Sequence, residues 1–122
     1  MSTSQDVVRV YNTTRESCLG EQIGVADTSL RRMVGLLGRK SLESGCGLYI
    51  VPSQAVHTFG MAFPIDVIFV DKKDRVVGVR HAVPPSRLTR PFWRALGVLE
   101  LPAGTIRASG TEVGDQLEFN FQ

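Results

Sequence analysis

The sequence predicts a mainly β fold of the α+β class: a small antiparallel sheet, curled or barrel-like, with one packed helix near residues 28–37 and room for a helical turn near 91–97. Three observations predict it. Short runs of β-branched and aromatic residues recur along the chain, glycine-rich turns separate them, and one stretch alone carries a clear helical period.

Val7-Val8-Arg9-Val10-Tyr11 is the first expected strand and Leu19 to Val25 the second, joined as a hairpin by the polar residues Asn12 to Arg15. The helix follows. Asp27 or Thr28 caps it, Leu30, Met33, Val34 and Leu37 fall at i, i+3, i+4 and i+7, and Gly38 stops it. Gly47-Leu48-Tyr49-Ile50-Val51 is a strand closed by Pro52. Phe59, Met61 and Phe63 alternate like one buried face of a strand. The run from Phe63 to Val70 is the strongest strand, apolar on both faces except at Asp66, and the turn Asp71-Lys72-Lys73-Asp74 returns it to Arg75-Val76-Val77-Gly78-Val79. Pro84, Pro85 and Pro91 then impose a long loop, with Phe92 to Leu96 leaving space for the helical turn. Gly97 to Leu101 and Gln116 to Phe119 complete the strands.

At 122 residues the chain is expected to form a single domain, 1–122, burying roughly two-thirds of the surface its unfolded form exposes. Hydrophobic residues at 43% and charged residues at 21% exclude a disordered or fibrous chain. No stretch reaches the roughly 18 apolar residues of a membrane span, and Met1 to Asp6 has neither the basic nor the apolar region of a leader. The chain as given is therefore expected to be cytoplasmic, although a leader removed upstream would leave the same pattern. Cys18 and Cys46, with two distant histidines, make no metal site, and no cofactor motif is present.

The net charge of +2 is too small to demand a polyanion. Its distribution is uneven, with Arg75, Arg80, Arg87, Arg90 and Arg94 close together and Phe92 and Trp93 interleaved. A solvated rim is the preferred reading and nucleic-acid binding is disfavoured, while exposed Phe92 and Trp93 would suit a protein partner.

Four blocks then stand in order. They are Arg32-Met33-Val34-Gly35-Leu36-Leu37-Gly38-Arg39-Lys40-Ser41-Leu42 followed by Gly47-Leu48-Tyr49; Pro64-Ile65-Asp66-Val67-Ile68-Phe69-Val70-Asp71; Val98-Leu99-Glu100-Leu101-Pro102-Ala103-Gly104; and Gly110-Thr111-Glu112-Val113-Gly114-Asp115. Together they resemble the bacterial and archaeal family called domain of unknown function 192, over about residues 25–119. The resemblance carries over Arg39, Asp66 and Glu100, and brings no activity or cofactor with it. One segment departs: where the family has Phe-Trp-Met-Lys-Asn-Thr, this chain has Val56-His57-Thr58-Phe59-Gly60-Met61.

The segment from His57 to Asp66 is the expected functional edge. Asp66 stands among residues that demand burial, so it needs a partner: Arg39 first, His57 second, or backbone amides that hold a turn. His57 and Thr58 adjoin Gly60 in a short polar loop where a ligand could approach. Glu100 repeats the pattern of one acid in an apolar strand, facing solvent or pairing with an arginine such as Arg32. The leading reading is a binding or accessory module with a polar cleft near His57, Asp66 and Arg39, taking a small polar ligand or a partner's loop. Its alternatives are a small hydrolase-like enzyme using His57 with Asp66, and a structural partner engaging through residues 84–96 with Phe92 and Trp93. No strongly marked catalytic motif decides for the enzyme.

Overall fold

Apolar runs become strands wherever both sides of the chain can be buried, and β4 (Ile65–Val70) is buried at every position. Residues 7–28 and 39–122 are described by the structure, a computed structural model. Before β4 come β1 (Val7–Asn12), β2 (Ser17–Ala26) and β3 (Cys46–Ile50), and after it β5 (Val76–Val83), β6 (Gly97–Pro102), the short helix α1 (Thr105–Ser109) and β7 (Leu117–Phe121). They form one sheet in the order β5-β4-β6-β3-β2-β1-β7. Neighbours are antiparallel except β2 and β3, whose parallel pairing requires the long crossover between them. The helix expected near 28–37 falls in that crossover and, apart from Thr28, lies outside the described residues.

The sheet curls into a half-barrel. Its two edge strands approach where Arg75 bridges Gln116, with Val76 N donating to Asp115 O at 2.9 Å and Leu117 N to Asp74 O at 2.9 Å. Alternation along β4 then divides the core. Ile68 and Val70 turn into the curl with Val8, Val10, Ile23, Leu99 and Leu117, whereas Ile65, Val67 and Phe69 turn outward with Leu48, Ile50 and Val98. Val56, Met61 and Ala95, from the loops either side of β4 and β5, cover that outer face.

Two local expectations need correction. No strand runs through 59–63: Met61 is buried and Phe63 packs against the outer core, but Phe59 is 52% exposed. Residues 91–97 form a turn closed by Ala95 N to Phe92 O at 2.8 Å, not a helix, because Pro91 and Gly97 leave too little chain to propagate one. The described helix is α1, started by Gly104 at φ 98° and stopped by Gly110 at φ 72°, conformations that glycine adopts without steric cost.

Candidate functional site

Asp66 is fully buried, and its carboxyl oxygens meet three backbone amides. Oδ1 accepts from Ala82 N at 2.8 Å; Oδ2 accepts from Gly104 N at 3.1 Å and Ile106 N at 2.8 Å. The register explains why. Between the pairs Ile65–Val83 and Val67–Arg80, Asp66 alone faces two residues, His81 and Ala82, so β5 carries a bulge opposite it. Ala82 holds a left-handed φ of 46°, strained for a residue with a Cβ, and the bond from Asp66 fixes it there. At the other oxygen, Asp66 caps α1, whose own N-cap residue, Gly104, has no side chain to do so. The alternative in which backbone amides hold a turn is thus the one realised, and neither Arg39 nor His57 bonds this carboxyl group. Arg39 is exposed.

Thr58 is also fully buried, and it fastens two loops. Its hydroxyl donates to Pro84 O at 2.7 Å and accepts from Arg87 N at 2.9 Å. Its amide donates to Arg87 O at 2.8 Å and its carbonyl accepts from Ser86 N at 3.0 Å. His57, next door, is exposed, bridges Leu88 and lies 5.7 Å from the Phe59 ring, centroid to centroid.

The bulge held by Asp66 and the loop held by Thr58 form the walls of an open groove of about 340 Å³. Arg80, His81, Arg87, Leu88 and Arg90 line it, together with Val83, Pro84 and Thr89. Three arginines face it and no acid does. Leu88 is 71% exposed on its rim. Asp66 and Thr58 therefore lie behind this surface as supports, and His57 sits beside it.

The pair expected to meet a partner divides. Trp93 is 75% exposed, but the Phe92 ring stacks on Phe69 with centroids 4.2 Å apart and has the Arg80 guanidinium over it at 4.8 Å. Gly78 makes room for it, since a Cβ there would overlap the ring. That glycine, inside an expected strand, was the available signal of close approach.

Glu100 does not face solvent. Opposite Leu48 in β3 and Val67 in β4, it points into the outer core, 3% exposed, with Oε1 lacking a hydrogen-bond partner among the described residues. Desolvation pushes its carboxyl up to about 7. Arg32, its suggested partner, lies outside the described residues.

A second buried polar cluster gave little warning in the sequence beyond the motif ending in Asp115. Asp115 accepts from Asn12 Nδ2 at 3.0 Å, Glu112 N at 2.9 Å and the Arg15 fork at 2.9 and 3.1 Å. Burial is the strongest single influence on it and opposes ionisation, but these donors together outweigh it and hold the carboxyl below its ordinary range. Among the described residues no group of three or more His, Cys, Asp or Glu side chains is placed to hold a metal ion, and no helix is long and apolar enough to cross a membrane.

A model of the family DUF192, described as Uncharacterized ACR, matches residues 10–119. The UPF0127 protein of Pyrococcus furiosus is 32% identical over 116 residues, covering 91% of this chain and 97% of that protein. The UPF0127 protein of Thermococcus sibiricus is 29% identical over 118 residues, covering 93% of this chain and 75% of that one. Two solved structures are similar. A protein of unknown function from Novosphingobium aromaticivorans has a TM-score of 0.78 at 24% identity, covering 92% of this chain and 83% of its own. A putative transcription regulator from Sinorhizobium meliloti has a TM-score of 0.79 at 22% identity, covering 98% and 96%. At these identities the likeness establishes the fold alone.

Proposed function

The chain belongs to the DUF192 family, and from that premise we propose that it is a binding module whose groove beside His57 takes an acidic, partly apolar segment of a partner protein. The observation that carries this reading is the groove's lining: Arg80, Arg87 and Arg90 with no acid among them, and exposed Leu88 and Phe59 nearby. Three cations with no acid in the lining beside them attract and orient an acidic segment, while the apolar side chains supply the contact area that charge alone does not. The open shape suits an extended loop better than an enclosed small molecule. Arg80 is held for this role by Phe92 and by its own bond to Val79 O at 2.8 Å.

Asp66 and Thr58 act as positioning residues and His57 as the contact residue, so the module needs no proton transfer between His57 and Asp66. Arg39 is not required by this reading. The test is fluorescence anisotropy with a labelled peptide of Glu and Leu residues, using a Lys and Leu peptide as its charge-reversed control. The acidic peptide binds saturably, Arg87→Glu weakens it by about tenfold or more, and His57→Ala weakens it less. Equal weakening by Arg107→Glu, on the exposed face of α1, would mean that net charge rather than the groove governs binding, and the reading would be abandoned.

A further inference from the structure

A second cavity, of about 550 Å³, opens between the β4–β5 turn and the segment before β6. Asp71, Lys72, Lys73, Arg75, Arg94, Ala95 and Leu96 line it, so four cations stand against one acid. That local balance of +3 exceeds the +2 of the whole chain. We propose that this cavity is a binding site for a small polyphosphate or phosphate-ester anion.

Asp71 offsets only part of the charge of its neighbours. Its Oδ1 accepts from Lys73 N and Arg75 N, both at 2.9 Å, which closes the turn on itself. Burial is the largest influence on this carboxyl and acts against ionisation, but the two amides and the charges of Arg75 and Arg94 outweigh it, keeping it below its ordinary range. Lys72, Lys73, Arg75 and Arg94 form no ion pair within 4 Å among the described residues, where both such pairs belong to Arg15. Gathering four cations around a single acid is unfavourable in itself, and a multiply charged anion removes the remaining repulsion.

Phosphate chemistry fits better than a single carboxylate. An anion of one charge leaves most of the +3 uncompensated, and arginine forks with lysine ammonium groups are the donors that phosphate oxygens engage. Backbone bonds fix both sides of the cavity: Asp71 N donates to Arg75 O at 2.9 Å across the turn, and Leu96 N donates to Val70 O at 2.7 Å. Ala95 and Leu96 supply an apolar floor for an ester's organic part, within a volume ordinary for small-molecule sites.

The experiment is isothermal titration of the intact chain with pyrophosphate, with inorganic phosphate and sulfate as anions of lower charge, at physiological ionic strength. One pyrophosphate binds per chain, about tenfold tighter than phosphate or sulfate, and Lys73→Gln and Arg94→Gln each weaken it by about tenfold. Arg107→Gln removes the same charge elsewhere and leaves the affinity unchanged. Circular dichroism on each variant separates a lost site from a lost fold. Absence of saturable heat at millimolar pyrophosphate overturns the proposal, as does an equal loss in Arg107→Gln. Binding of single-stranded DNA in place of pyrophosphate, with similar losses at every arginine removed, also overturns it in favour of a diffuse polyanion surface. None of these outcomes depends on the acidic peptide binding in the neighbouring groove.

Discussion

At the scale of single residues, Glu100 gives the stability a pH response that reaches up to neutrality. Its strand neighbours force it among apolar side chains, where only the protonated form is tolerated without a compensating charge. The folded carboxyl titrates near 7 against an ordinary value of 4.5. Because the folded value is the higher one, its favourable contribution is full below about 4.5 and is lost as pH rises toward about 7. The difference corresponds to about 3 kcal/mol. Glu100→Gln keeps the shape and cannot ionise, so at pH 8 it should exceed the parent in stability by about that amount, with little difference at pH 4.5. Urea unfolding at the two pH values measures this, and a variant no more stable than the parent at pH 8 would show that Glu100 ionises in the fold without cost. The sequence displayed the acid in its apolar run, but not its direction. Solvent and an arginine were both open alternatives because burial depends on β3 and β4 standing either side of it.

Between elements, Asp66 acts as a joint. One carboxyl group holds the bulge of β5 and caps α1, so the chain entering the arginine groove and the chain leaving β6 are fixed by the same side chain. Asp66→Ala leaves three amides without this acceptor and should cost about 3 kcal/mol. Asp66→Asn is the sharper variant. Its amide nitrogen would present a donor to backbone donors, so preserving the volume should not preserve the stability. Hydrogen exchange gives a local readout: the amides of Ala82 and Ile106 should lose protection before those of β3 and β6. A loss well below 1 kcal/mol, with both amides still protected, would rule out the joint. The importance of Asp66 was legible from its apolar surroundings. Backbone amides stood among the expected partners, but which amides was not legible, because the bulge arises from register and the capped helix comes after β6. Phe92 misled for a related reason, since the prolines before it, Pro84, Pro85 and Pro91, concealed a ring that returns to the sheet over Gly78.

Across the whole molecule, the legible part of the fold was its strand inventory, and the part that escaped was how the ends meet. Apolar alternation and turn residues set β1, β2, β4, β5 and β6 close to where they stand, because each is specified by its own residues. Curling is not local: it depends on β7 pairing with β1 while the start of β5 reaches the start of β7. Asp115 secures that seam. Its carbonyl accepts from Val76 N, and its side chain ties Asn12 at the end of β1 to the turn at Glu112. Asp115→Ala should lower stability by about 2 kcal/mol, chiefly by leaving the Glu112 N–H and one of the two Asn12 amide hydrogens without an acceptor, Asn12 keeping only its bond to Thr111 Oγ1; the exposed Arg15 fork adds little. The acid limb has the opposite sign to Glu100. A carboxyl held below the ordinary 3.8 stabilises above that value and loses its contribution as pH falls through its folded value. The parent should therefore lose part of its stability on acidification below about pH 4, and Asp115→Ala should lose less over the same range. Exchange at Val76 and Leu117 should rise in the variant at neutral pH while β3 and β6 follow global unfolding. Unchanged protection at both seam amides, with parent-like acid sensitivity, would show that the half-barrel closes without Asp115.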